Sequence, residues 1–291
     1  MSPASWSSPE WIRASTAVLE SWGLVVDTGE HLGARWGYMA GRDEQRIADL
    51  NEAFRDPGVR AIVATQGGAG AYRICEELDF DAVRRDPKPL LGFSDITYLH
   101  LALWSHAGSP SVHGCLAGDT AIATARQLLM ASDPVTVTSE PGAYSSQVEF
   151  GGRASGTLIG GSLQAVAHMV GAGLPSLAGA ILLLESPRAM GLGRVDRQLT
   201  QLRRSGALDG VRGVALGLFT GYDDYVDRGW TLLDVLNDHL GRLGVPVLGG
   251  LRIGHNGLDE DGGPDQVSVP IGGYAEIDTK AGTLTMSWPS G

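Results

Sequence analysis

Leu90-Leu91-Gly92-Phe93-Ser94-Asp95-Ile96-Thr97 is the stretch on which the reading of this chain turns. The apolar run Pro89-Leu90-Leu91 enters a glycine and a lone hydroxyl follows. The long apolar segment Tyr98-Leu99-His100-Leu101-Ala102-Leu103-Trp104 then leaves it. A strand that ends in a tight turn and continues as a helix has this layout, and such a turn holds a serine Oγ out of the sheet at a helix N-terminus. Ile96 stands where the second glycine of G-x-S-x-G would be, so the match is partial. An ordinary Ser/Asp N-cap after a strand fits the same residues. The rest of the chain has to decide between the two.

Around this stretch the pattern is strand, loop, helix, repeated. Upstream, Glu10–Trp22 and Asp43–Phe54 have helical apolar spacing, and Leu24-Val25-Val26 is a short strand candidate. The continuous apolar run Ala61–Thr65 suits a strand buried on both faces of a parallel sheet. Gln66-Gly67-Gly68-Ala69-Gly70 follows it, and a helix is expected from Ala71 to Leu78. Between Ala117 and Gly156 the pattern weakens to short strands at Thr136-Val137-Thr138 and Gln147–Phe150. It resumes with strand Gly156–Gly161, a helix through Leu163–Val166, strand Ala180–Leu184, a helix over Val195–Arg204 and strand Gly213–Phe219. A helix over Thr231–Arg242, the run Val245–Leu248, and strands at Val267–Val269 and Tyr274–Asp278 close the chain. The expectation is an α/β protein: an N-terminal Rossmann-like parallel sheet domain over 1–120, a connector over 121–155, and a C-terminal, strand-rich α/β domain over 156–291.

Composition narrows the class. The 291 residues give ample core. A formal net charge of -11 argues against nucleic acid or an anionic membrane as partner. Two cysteines, Cys75 and Cys115, cannot form a disulfide framework or an all-cysteine zinc site, which suits a reducing cytoplasm. The N-terminus shows no basic region leading into an apolar core, and no stretch approaches the ~20 apolar residues of a membrane helix.

Several residues carry chemical interest, each beside a plainer reading. Glu185 ends an apolar strand, where catalytic groups of open sheets collect, but a lone Glu there also opens solvated loops. His255 lies in Gly254-His255-Asn256-Gly257, whose glycines suit a general base reaching a serine; Asn-Gly is also a turn signal. His113 keeps interest through its neighbour Gly114. His31, His106 and His239 read as surface or helix-end residues, and His100 and His168 as packing residues in helices. The Gly67-Gly68-Ala69-Gly70 loop offers backbone N–H groups to an oxyanion, or is simply a strand-to-helix turn. G-G-x-G is not the dinucleotide fingerprint. No H-E-x-x-H or C-x-x-C appears, and Asp259-Glu260-Asp261 reads as an acidic turn rather than a metal site.

Taken in order, these segments resemble the LD-carboxypeptidase (muramoyltetrapeptide carboxypeptidase) family of serine peptidases, which includes the microcin C immunity hydrolases. The resemblance rests on Ala40–Arg46, Gly67-Gly68-Ala69-Gly70 with Arg73, Leu78-Asp79-Phe80, Lys88–Thr97, His113-Gly114, Gly156-x-Leu158-Ile159-Gly160-Gly161, Leu184-Glu185 and Gly254-His255. It implies Ser94 as nucleophile, His255 as general base and Glu185 as the acid that orients the histidine, with the active site at the domain interface. Gly68 and Asp95 are the oxyanion-hole candidates, with Arg73 and His113 as helpers in substrate binding. By the same resemblance the substrate is a small peptide or muropeptide. The expected reaction is release of terminal D-alanine from murein tetrapeptide in the cytoplasm, without metal or organic cofactor, by a homodimer. A peptidyl-aminoacyl adenylate is the alternative substrate.

Three departures from the family pattern stand out. Met1 directly precedes Ser2-Pro3-Ala4, where the family has a first strand; either that strand is absent, leaving a sheet edge exposed, or the start is placed late. Cys115 and Ser162 replace a common proline and asparagine, changes expected to reshape the pocket. No tryptophan occurs between Ala117 and Gly156, where immunity members stack one on adenine.

Overall fold

The computed structural model describes residues 1–187, 191–256 and 265–289. Helix α1 (Pro9–Ser21) starts at Ser8, whose side chain accepts the Trp11 N–H, with proline in the first turn where its missing donor costs nothing. Helix α2 (Asp43–Arg55) turns Leu50, Ala53 and Phe54 inward. Next come β1 (Ile62–Val63), α3 (Phe80–Arg85), β2 (Leu90–Gly92), α4 (Thr97–Ala107) and β3 (Ser111–His113). The strands are short and parallel, with β2 between β1 and β3. Met1 lies against β1: its amino group donates to the Val63 carbonyl at 3.0 Å, and its carbonyl accepts the Thr65 N–H at 2.9 Å.

Helix α5 (Asp119–Met130) leads to β4 (Val135–Thr138), β5 (Glu149–Phe150), β6 (Arg153–Ser162), α6 (Leu163–His168) and β7 (Ala180–Glu185). Then follow α7 (Leu192–Arg204), β8 (Gly213–Leu216), α8 (Leu232–Leu240), β9 (Val247–Leu248), β10 (Val269–Ile271), β11 (Tyr274–Asp278) and β12 (Thr283–Ser287). The larger sheet runs β4-β12-β11-β6-β7-β8-β9-β5. Its centre, β6 to β9, is parallel, and antiparallel strands flank it. Every residue of β7 is buried, as a strand covered on both faces must be. The fold is thus a two-sheet α/β architecture with parallel centres, as the strand–helix alternation implies.

The small sheet is completed from far along the chain. Strand β10 pairs antiparallel with β3, Val269 opposite His113, and β11 then enters the larger sheet. The main core spans both halves: Leu99 and Leu103 of α4 share it with Ile159, Val166 and Leu182. Each such side chain contributes about 1.5–3 kcal/mol by leaving water.

Three sequence expectations are corrected. Leu24-Val25-Val26 forms no strand, and Val25 is 91% exposed; an apolar triplet without a neighbouring strand has nothing to pair with. Ala71–Leu78 is not an α-helix but a 3-10 turn over Ala71–Arg73 followed by further tight turns. There the bonds run i to i+3: Arg73 to Gly70, Ile74 to Ala71 and Glu77 to Ile74. His239 ends α8 but is buried, hydrogen-bonded to Asp196 at 2.8 Å. Residues 121–155 hold most of α5 and place β4 and β5 at the two edges of the larger sheet. Asp259-Glu260-Asp261 lies outside the described residues.

Candidate active site

Ser94 has φ 63°, a left-handed backbone that a non-glycine residue adopts only at a cost of ~1–3 kcal/mol when its surroundings enforce it. The enforcement is visible. Strand β2 delivers Phe93 in an extended conformation, and Ser94 opens a 3-10 turn, Ser94–Ile96, that runs directly into α4. Ile96, at the position of the missing second glycine, is fully buried and folds back over Gly92, so this turn closes by packing. Gly67 presses on the other side: a Cβ there would lie 2.8 Å from both the Phe93 carbonyl oxygen and the Ser94 Cβ.

The glycine loop is tied to this elbow. The Ser5 N–H donates to the Gly67 carbonyl, the Ser5 hydroxyl accepts the Ala69 N–H, and Arg46 donates to the Gly70 carbonyl. The Asp95 carboxylate accepts the Ala71 N–H at 2.7 Å. Burial pushes the Asp95 carboxyl up to about 6, against that hydrogen bond and the pull of Arg46.

Two loops at the carboxyl ends of the larger sheet supply the rest. Glu185 is the last residue of β7, fully buried beside Ser162 at the end of β6. Its Oε2 accepts from the His255 backbone N–H at 3.2 Å and lies 2.7 Å from His255 Nδ1. Its Oε1 has no hydrogen-bond partner among the described residues, so its bonding is directed at the imidazole. On the ring's far side, His255 Nε2 is 3.0 Å from Ser94 Oγ. Phe93 packs against the ring with centroids 5.0 Å apart. The Gly254 N–H donates to Gln266, whose amide nitrogen in turn donates to Cys115 Sγ.

The electrostatics suit a base. Burial is the largest influence on His255 and opposes its charge, yet the charge and hydrogen bond of Glu185 together prevail and hold the imidazole above its ordinary value of 6.5. Burial likewise works against the Glu185 carboxylate, and the facing His255 brings it below the usual range.

A cleft of about 80 Å³ opens at these side chains, lined in part by Gly68, Ser94, Asp95, Ser162 and His255. A second cavity, about 410 Å³, shares Gly68, Ser94 and His255 and extends to Trp11, Leu91 and Cys115. Ser162 and Cys115, the two departures noted in the sequence, therefore line one cavity each.

Ser94, Glu185 and His255 meet, and Gly68 and Asp95 border them. Arg73 does not join them: it forks onto Asp43, with Nε 2.9 Å from both carboxylate oxygens, and lines neither cavity. His113 is fully buried behind Phe93, beside His100, and burial drives its imidazole down to about 4, so it is neutral and out of a substrate's reach. Sequence reasoning missed Arg194, which lines the first cleft from the opening turn of α7. The available signal was a basic residue in the first turn of an amphipathic helix, where the helix dipole disfavours a cation.

Comparison with known proteins identifies the family. Residues 1–114 match the LD-carboxypeptidase N-terminal domain and residues 155–277 the LD-carboxypeptidase C-terminal domain. The chain is 33% identical to a murein tetrapeptide carboxypeptidase of Pseudomonas aeruginosa over 76% of its own length and 75% of the relative's. The crystal structure of a muramoyltetrapeptide carboxypeptidase from Oxalobacter formigenes superposes with a TM-score of 0.84 at 28% identity, covering 100% of this chain and 98% of that one. An MccF-like protein from Bacillus anthracis shares the fold, with a TM-score of 0.85 at 24% identity over 99% of this chain and 95% of that one. Among the described residues no helix is long and apolar enough to cross a membrane. The chain belongs to the LD-carboxypeptidase family of serine peptidases, and is a carboxypeptidase.

Proposed function

We propose that this carboxypeptidase hydrolyses the L,D amide bond of murein tetrapeptide, releasing terminal D-alanine in the cytoplasm as part of peptidoglycan recycling, through a Ser94–His255–Glu185 triad. The observation that carries the reading is the continuous chain from Ser94 Oγ to His255 at 3.0 Å and from His255 to Glu185 at 2.7 Å. The names of the Pseudomonas and Oxalobacter relatives support the substrate class.

In the proposed reaction neutral His255 takes the Ser94 proton as Oγ attacks the amide carbon. Glu185 fixes the tautomer that leaves Nε2 free to accept and stabilises the imidazolium that forms. The backbone N–H groups of Gly68 and Asp95 receive the oxyanion, each worth about 3 kcal/mol of barrier. Imidazolium then protonates the departing D-alanine amine, and water, deprotonated by the same histidine, releases the acyl group from Ser94. His255 must be neutral to begin, so the elevation caused by Glu185 sets the lower pH limit of the reaction.

The absence of tryptophan between Ala117 and Gly156 favours the muropeptide over a peptidyl-aminoacyl adenylate. The test is to incubate wild type and Ser94→Ala with a murein tetrapeptide and, in parallel, a peptidyl-aminoacyl adenylate, reading products by mass spectrometry. Wild type is expected to release D-alanine and the variant none, with an unchanged circular dichroism spectrum. Full activity in Ser94→Ala, or cleavage of the adenylate alone, rejects the reading. Light scattering at micromolar concentration tests the homodimer proposed alongside it.

A further inference from the structure

An exopeptidase must recognise the free carboxylate of the residue it removes, and the walls of the first cleft hold one side chain suited to that. Arg194 lines this cleft with Ser94 and His255, and no other lysine or arginine among the described residues does so. Its Nη2 donates to the Gln164 amide oxygen, a neutral acceptor that orients the guanidinium without cancelling its charge. Four residues on, Gln198 stands on the same face of α7 and lines the same cleft. Gln198 is 6% exposed, and its amide nitrogen has no hydrogen-bond partner among the described residues. A buried donor left unpaired is costly and therefore rare, and it marks a place where an acceptor is wanted.

We infer that Arg194, with the Gln198 amide beside it, binds the terminal carboxylate of the D-amino acid that leaves. A guanidinium presents paired donors that match a carboxylate, and the amide adds a third. A carboxylate held on α7, in the cleft that Ser94 also lines, would register the peptide by its terminal residue, so that the bond presented to the nucleophile is the last one. A bond further inside the chain would have no terminal carboxylate to bring to Arg194. This assignment deepens the proposed carboxypeptidase reading and rests on it. It also gives the cation expected of Arg73 to a residue that lines the cleft.

The test compares kcat/KM for a tetrapeptide ending in free D-alanine and the same peptide ending in D-alaninamide, with wild type, Arg194→Gln, Arg194→Lys and Gln198→Leu. Binding of both peptides to Ser94→Ala, with and without Arg194→Gln, is measured by calorimetry, so that slow amide turnover does not hide the result. Wild type is expected to prefer the acid by about 100-fold, Arg194→Gln to abolish the preference, Gln198→Leu to reduce it about tenfold, and Arg194→Lys to retain part of it. An equal fall on both peptides, or a preference unchanged in Arg194→Gln, overturns the inference. A peptidyl-adenylate analogue offers a phosphate to the same cation; discrimination confined to that ligand overturns it too. In each of these outcomes Ser94-dependent release of D-alanine persists, whereas failure of the carboxypeptidase reading removes it.

Discussion

Gly254 packs against Glu185 so closely that a Cβ on Gly254 would lie 2.4 Å from the Glu185 Cγ and 2.5 Å from Oε2. Gly254 also has φ +96°, a conformation that disfavours any side chain. Glu185 is fully buried and cannot swing away. Gly254→Ala is therefore expected to displace His255, lowering kcat by about 10²-fold. It should also destabilise the fold by roughly 1–3 kcal/mol. Steady-state kinetics and urea denaturation check both, and a variant with wild-type kcat would show that the loop accommodates the methyl group.

Glu185→Gln keeps the shape and removes the charge. The tautomer is then no longer enforced, and kcat is expected to fall by about 10²- to 10⁴-fold. The pH profile carries a sign. Activity requires neutral His255, so kcat/KM falls as pH drops through the histidine's titration, which Glu185 holds above 6.5. Without the carboxylate only burial remains, which lowers the value. The acidic limb of the residual activity should move to lower pH; a limb that stays in place or moves up contradicts the assignment.

Arg73→Ala tests the correction made by the structure. Arg73 pairs with Asp43 at a half-exposed position, where solvent screens the pair and leaves it little weight. KM for the tetrapeptide is expected to stay within about twofold of wild type, against an about 100-fold lower kcat/KM for the free acid in Arg194→Gln. A tenfold rise in KM for Arg73→Ala would return it to the substrate site.

Asp95→Ala leaves the backbone N–H at position 95 in place and removes the carboxylate that receives the Ala71 N–H. An unpaired buried donor costs about 1–3 kcal/mol, so the thermal midpoint should drop. The glycine loop loses its tie to the serine turn, and kcat should fall with it. Stability lost without any change in kcat would separate the loop from catalysis.

Much of this architecture is legible in the residues, because strong periodicity survives folding. The buried run Ala180–Leu184 and the amphipathic Asp43–Phe54 appear close to where the sequence puts them. Ser94, Glu185 and His255 were each ambiguous alone and became specific as an ordered set. Other features depend on partners that a linear reading does not see. Ala71–Leu78 keeps helix-like burial at Ala71, Ile74, Cys75 and Leu78, yet Ala71 is bound to Asp95 and Gly70 just before it to Arg46, and tight i to i+3 turns follow. Strand β10 looks like part of the closing antiparallel strands, but pairing with β3 puts it in the other sheet. Arg194 is hidden in the sequence because amphipathic helices carry many arginines and only the fold shows which one lines the cleft with Ser94.

The return of β10 to β3 has a consequence for how the polypeptide can be divided. A fragment ending at Gly114 would present the outer rim of β3, Ser111 to His113, with its amides and carbonyls bare and Val112 stripped of cover. The complementary piece would carry Val269–Ile271 without its partner strand. Neither product is self-sufficient, so expressing the two segments from separate genes should yield insoluble material singly and active enzyme only when both are made together.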